Sequence, residues 1–306
     1  MKKAAVIGAG FAGLALTYHL LKEGFKVTLI DKKGVGGGAS GIALGLVHPY
    51  PGEQCRRSLK ADEGIAAAKQ LLWVAEEKLG RPVANYEGVI RIAFDEEAVQ
   101  NLSKYPDVER LNDKHFLIKS GITVFTQSYL EGLWLACKDG GAQLLIQNIE
   151  EIPQDYDLVV IAAGAGCLPL CPSLRLKRVK GQVLVCKGVP PEKSIVGKGY
   201  IARGECKETF HFGATYERVW FFKDEEPDLK TALKELKPKF EKLSTQPFPE
   251  ILDCKAAFRV THPHGYFPLI KQLNEKTWAV TAFGSRGLLY HALAAQEFLT
   301  CLKTKT

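Results

Sequence analysis

Two glycine motifs stand near opposite ends of the chain, Gly8-Ala9-Gly10-Phe11-Ala12-Gly13 and Phe283-Gly284-Ser285-Arg286-Gly287-Leu288. The spacing of the first suits a diphosphate. Gly8 permits a tight turn, Gly10 lets the backbone approach a pyrophosphate at a helix N-terminus, and Gly13 lets helix and strand pack closely. Asp31 follows where an acid would accept hydrogen bonds from a ribose 2′-OH, which argues against a 2′-phosphate despite Lys32 and Lys33. The second motif offers another helix N-terminus, so that one extended cofactor is held from both ends of the sequence. The alternative is a glycine turn without a ligand, which the acid and the flanking elements oppose.

Those flanking elements are legible in the hydrophobic pattern. Residues 3–7 read as a buried strand, 14–21 as a helix ended by Gly24, and 25–30 as the strand that delivers Asp31. The stretch from Gly36 to Tyr50 is too rich in glycine for an ordinary helix or strand and lets backbone pass close to something flat. A long amphipathic helix is expected over 59–79, closed by Gly80, then a strand over 88–94 and a short helix starting at Asp95. A helix over 126–137, a strand over 142–146 and a buried strand over 156–163 follow, the last entering the turn Gly164-Ala165-Gly166 and rejoining the first sheet. Between 179 and 216 the pattern changes to short β-like runs broken by glycine, the mark of an antiparallel substrate domain. Residues 228–243 read as a charged helix, 277–283 as a strand and 288–302 as the closing helix.

Composition bounds the class. With 306 residues and 46% apolar content the chain can bury a sizeable core, as one large or two modest domains. Its net charge of +7 permits a polyanionic partner without demanding one. The clusters Arg56, Arg57, Lys60 and Arg175, Lys177, Arg178, Lys180 read first as solvated surface, because aromatic residues are not interleaved with them. Eight cysteines without a C-x-x-C pair, and no signal segment or run of transmembrane length, read as reduced thiols in a cytoplasmic protein without a membrane anchor. His262-Pro263-His264 lacks a third ligand at usable spacing and reads as a loop, so no metal is assigned.

The ordered set of the first motif, Gly38-Ala39-Ser40-Gly41, Ala162-Ala163-Gly164, Arg178-Val179-Lys180-Gly181-Gln182 and the terminal Gly-Ser-Arg-Gly-Leu resembles the D-amino-acid oxidase superfamily of FAD-dependent oxidoreductases over nearly the whole chain. Within it, residues 88–93, 213–218 and 284–288 are similar to segments of the FAD-dependent oxidase domain of bifunctional tRNA 5-methylaminomethyl-2-thiouridine biosynthesis proteins, whose partner methyltransferase domain has no counterpart here. The resemblance implies an α/β fold: a Rossmann-type FAD-binding domain over 1–85, 120–175 and 255–306, and a smaller α+β substrate domain with an antiparallel sheet over 86–119 and 176–254.

It also implies FAD, with the diphosphate over Gly8, Gly10, Phe11, Ala12 and Gly13 and the adenosine ribose at Asp31 and Lys32. Ala163 and Gly164 end the neighbouring strand. The flavin would lie beside Ala39, Ser40, Gly41, Gly45 and Leu46 and against Gly284, Ser285, Arg286, Gly287 and Leu288. Arg286 would support charge on the reduced flavin's pyrimidine edge, pair with substrate carboxylate, or make a structural salt bridge. Arg259 resembles the carboxylate-clamping arginine of related glycine oxidases, with an exposed strand arginine as the alternative. Tyr200 resembles a pocket tyrosine, with Tyr216 nearby on an adjacent strand, though both also suit a core. His48 follows the flavin-side glycines and is not assigned a catalytic role.

The implied reaction is hydride transfer from the carbon beside a neutral secondary amine to flavin N5, giving an imine that water hydrolyses. Its substrate would be the carboxymethylaminomethyl group of a tRNA wobble uridine, with oxygen as acceptor. Oxidation or dehydrogenation of glycine, sarcosine or a D-amino acid uses the same residues, and a non-catalytic dinucleotide-binding protein is a third reading.

Overall fold

The computed structural model describes residues 1–218, 226–263, 265 and 267–304; His264 lies outside them. The strands are β1 (Lys3–Ile7), β2 (Lys26–Asp31), β3 (Gly45–Val47), β4 (Ala84–Asn85), β5 (Val89–Ile92), β6 (Val108–Arg110), β7 (His115–Ile118), β8 (Ile122–Val124), β9 (Gln143–Ile146), β10 (Leu158–Ile161), β11 (Lys177–Lys187), β12 (Ile195–Val196), β13 (Tyr200–Arg203), β14 (Thr209–Gly213), β15 (Glu250–Thr261), β16 (Leu269–Gln272) and β17 (Thr277–Thr281). The helices are α1 (Phe11–Lys22), α2 (Ala61–Leu79), α3 (Glu96–Leu102), α4 (Thr126–Asp139), α5 (Cys167–Leu170), α6 (Leu229–Phe240) and α7 (Gly287–Lys303).

The first sheet has the order β16-β17-β10-β1-β2-β9, parallel except for β16. Strand β1 shows why. Its residues alternate between two cores: Ala4 and Val6 join the large cluster built with α1, α2, α4 and α7, while Ala5 and Ile7 join a smaller one with Cys167, Cys171 and Leu174. A strand buried on both faces belongs inside a helix-covered parallel sheet. Here β10 does rejoin the first sheet, beside β1.

The second sheet runs β15-β11-β14-β13-β12-β5-β7-β6, antiparallel but for the β12–β5 pair. Phe210, Phe212, Leu184 and Ile201 turn one face toward Ala232, Leu236 and Phe240 of α6. The helix starts at Asp228, whose carboxylate accepts the Thr231 N–H at 3.1 Å. Strand β15 was not evident from sequence, because Glu250, Asp253, Lys255 and Arg259 interrupt its apolar residues. It pairs with β11 from Thr261↔Lys177 to Glu250↔Lys187, and the expected division between 254 and 255 falls inside it. A third small sheet, β3-β8-β4, seats the end of the glycine-rich stretch against Ile122–Val124.

One member of the basic clusters requires a correction, while Arg56, Lys60, Arg175 and Lys177 are exposed as expected. Lys180 is 3% exposed, and its ammonium donates to the Glu226 carbonyl, so it is not solvated surface. Arg56, Arg57 and Lys60 pair with Glu97, Asp62 and Glu297.

Candidate active site

The first glycine turn is built by close approach. Gly8 has φ +107°, and a Cβ there would sit 2.7 Å from the Ala163 Cα. A Cβ on Gly13 would lie 1.7 Å from the Gly8 carbonyl oxygen, so only glycine lets α1 pack this tightly on the turn. A Cβ on Gly10 would lie 2.7 Å from Ser40 Oγ. Ser40 Oγ accepts the Phe11 N–H at 3.1 Å and satisfies one of the free donors that open α1. The first turn of α1 itself holds no acidic residue to oppose an incoming diphosphate at its positive end. Asp31, at the end of β2, accepts from Ala9 N at 2.8 Å through one oxygen and from Lys33 N and Gly34 N through the other. These bonds fix the carboxylate beside the turn and leave a lone pair of Oδ2 for a hydroxyl. Lys32 is exposed.

At the other end, the second motif meets the glycine-rich stretch. Leu288 packs on Gly45, and Thr126 Oγ1 donates to the Ala43 carbonyl at 2.6 Å. Ala282 and Gly284 take φ +65° and +55°, turning the chain out of β17, and Gly284 N donates to the Val260 carbonyl at 2.8 Å. Arg286 then occupies the N-cap of α7. Phe11 of the first motif reaches the helix that follows the second, its ring centroid lying 5.6 Å from His291 on α7 and 5.9 Å from Tyr129 on α4. Burial pushes His291 down to about 4, and its Nε2 bonds the Tyr129 hydroxyl at 2.5 Å.

The substrate sheet presents its other face to this region. Register places Tyr200, Gly213, Val183 and Lys255 in one row, and Arg259 two alternations along β15 shares their face. His211 lies there too, and its Nδ1 accepts the Leu44 N–H at 3.1 Å, tying the sheet to the glycine-rich stretch. Burial pushes His211 down to about 4, with Lys255 adding to the effect. The Arg259 guanidinium lies over Gly181, where a Cβ would fall 2.5 Å from Nη2. It donates to the Thr215 carbonyl at 2.6 Å and sits 5.5 Å from the Tyr216 ring centre. Tyr216 follows β14 rather than lying on a strand. Burial lowers the Arg259 pKa and pushes Tyr200 up to about 12, with Arg259 opposing the tyrosine shift. His48 is driven to about 3 by burial and then by Arg91 and Arg286, so its imidazole is neutral.

Sequence reasoning passed over His211, Thr126 and Thr215. The glycine inside the β11 pattern, Gly181, was the one available signal of a close approach.

A model of FAD-dependent oxidoreductases matches residues 3–299. The chain belongs to that family. FAD is therefore its cofactor, and the turn that a Cβ would fill at Gly10, with a first turn of α1 free of acidic residues, fits the group. Among other FAD-dependent oxidoreductases, the bifunctional tRNA 5-methylaminomethyl-2-thiouridine biosynthesis protein of Hydrogenovibrio crunogenus is 27% identical over 92% of this chain and 49% of its own length. The corresponding protein of Maricaulis maris is 30% identical over 61% of this chain and 34% of its own. The chain thus spans half or less of these relatives. Glycine oxidase from Geobacillus kaustophilus shares the fold with a TM-score of 0.79 at 18% identity, covering 100% of this chain and 96% of that one. Iminodiacetate oxidase from Chelativorans sp. BNC1 does so with 0.76 at 17% identity, over 98% and 95%. Among the described residues, no helix is long and apolar enough to cross a membrane.

Proposed function

We propose that this flavoenzyme oxidises the C–N bond of an amine carrying a carboxylate, and that its substrate is the carboxymethylaminomethyl group of a tRNA wobble uridine. The observation that carries the reading is Arg259. Its guanidinium is desolvated on the sheet face that also meets the glycine-rich stretch, and among the described residues it bonds a carbonyl rather than a carboxylate. A planar fork in that state suits bidentate capture of a substrate carboxylate.

Bound FAD supplies a two-electron acceptor for the hydride on the carbon beside the nitrogen. Gly8, Gly10, Phe11, Ala12 and Gly13 would hold its diphosphate; Asp31 and Lys32, with Ala163 and Gly164 behind the turn, would border its ribose. Ala39, Ser40, Gly41, Gly45 and Leu46, with Gly284, Ser285, Arg286, Gly287 and Leu288, would border its flavin. Arg259 would fix the substrate so that the reacting carbon is held in place, Tyr200 would border it, and Arg286 would support negative charge on the reduced cofactor. Loss of hydride and the amine proton leaves an imine, and water releases aminomethyl-uridine and glyoxylate; oxygen, taking the two electrons and two protons, becomes hydrogen peroxide.

Names of the relatives support the tRNA reading, and the fold shared with glycine oxidase supports a free amino acid as the second reading. Incubation with tRNA bearing carboxymethylaminomethyl-uridine, followed by nucleoside analysis, separates them. Aminomethyl-uridine with stoichiometric glyoxylate is expected. Glyoxylate from glycine alone, with the tRNA unchanged, overturns the tRNA assignment.

A further inference from the structure

Beneath Arg259 lies a polar network in a part of the sheet where apolar side chains would ordinarily be found. Thr215 and Gln182 are both 0% exposed. Thr215 Oγ1 accepts the Gln182 N–H at 2.9 Å and donates to Glu217 Oε1 at 2.5 Å. Gln182 Nε2 donates to the same carboxylate oxygen at 2.9 Å, and Gln182 Oε1 accepts the Asp228 N–H at 2.6 Å. The backbone closes the arrangement, with Thr215 N donating to the Gln182 carbonyl and Lys180 and Glu217 bonded in both directions. All but the Asp228 bond, which ties Gln182 to the start of α6, end on the segment whose Thr215 carbonyl takes the Arg259 N–H.

We infer that Thr215, with Gln182 and Glu217, is a positioning bracket that sets the orientation of the Arg259 fork without neutralising it. The inference rests on Arg259 being the carboxylate clamp. A buried guanidinium paired directly with a carboxylate would have its charge and its fork consumed by that partner. Here Glu217 spends its Oε1 on Thr215 and Gln182, and both it and Glu235 reach Arg259 only through the field that opposes the burial shift. The guanidinium is instead held by a neutral carbonyl, with Gly181 leaving it room and the Tyr216 ring nearby. One N–H of five is used in that bond, and the rest of the fork keeps its capacity for an incoming carboxylate. Removing the Thr215 hydroxyl leaves the buried Gln182 N–H without its acceptor and frees the segment carrying the Thr215 carbonyl.

The test uses the FAD-loaded protein and two probes of equal shape, propionate and propionamide, read by perturbation of the flavin absorbance. Thr215→Val should weaken propionate binding about tenfold and leave propionamide within about twofold, while Thr215→Ser, which restores the hydroxyl, binds both like the parent. A merely structural role would weaken both probes together. That outcome, or a Thr215→Val protein that binds propionate normally, overturns the bracket, as does a Thr215→Ser protein that behaves like Thr215→Val. Arg259→Ala is the control for the clamp: propionate binding that survives this change overturns the clamp, a failure separate from any result at Thr215.

Discussion

Leu288 packs so closely on Gly45 that a Cβ at position 45 would lie 1.9 Å from Leu288 Cδ1. This contact joins the glycine-rich stretch after β2 to the first turn of α7. Gly45→Ala forces the leucine side chain out of its place, an overpacking cost of about 1–3 kcal/mol. Thermal unfolding with and without added FAD should show a lower melting temperature and a smaller gain from the cofactor. A variant with unchanged melting temperature and flavin content contradicts the contact.

Gly13→Ala should be far more damaging than Gly24→Ala. At Gly13 the new Cβ meets the Gly8 carbonyl oxygen at 1.7 Å, and backbone cannot step aside as a side chain can. At Gly24, with φ +80° and open space around it, the cost is the left-handed backbone alone, about 1 kcal/mol. Soluble yield and FAD content of the two variants check the order.

How far the sequence disclosed this molecule is clear from two strands. β1 was readable because, after the exposed Lys3, Ala4 to Ile7 are all apolar and buried on both faces. β15 was not, because the apolar stripe on one of its faces is broken by the charged Asp253, Lys255 and Arg259. The same contrast holds in the site. Glycines announce close approach by their type, so Gly8, Gly13 and Gly45 stood out. Thr215, Gln182 and Glu217 act through partners distant along the chain, and local pattern carries no trace of that.

The fully buried Arg91 donates to the carbonyls of Ile92, Val196 and Gly52, binding the segment after β3 to the substrate sheet. Arg91→Met should cost about 2–5 kcal/mol, since it strands buried acceptors. The denaturant midpoint reads this directly, and a midpoint equal to the parent's refutes it.

His48, His211 and His291 are held neutral in the fold, at about 3, 4 and 4. In the unfolded chain each takes a proton near the ordinary value of about 6.5. A depressed folded pKa contributes stability that is present above the unfolded pKa and lost as pH falls toward the folded one. Between about pH 6.5 and 5 each histidine should therefore cost on the order of 1–2 kcal/mol. Denaturant midpoints across that window should fall, and the slope should flatten in His291→Phe. A flat profile in the parent contradicts neutral burial.

The most direct test of the account follows the flavin band of the FAD-loaded protein without oxygen, in the parent and in Arg259→Ala. Carboxymethylaminomethyl-uridine tRNA, glycine, sarcosine and D-alanine are added separately. The account predicts that the tRNA bleaches the parent's band, and that Arg259→Ala keeps its FAD but bleaches at least about a hundredfold more slowly, as expected when a positioning clamp is lost. A parent that no carboxylate-bearing amine bleaches, or an Arg259→Ala protein that bleaches at the parent's rate, contradicts it.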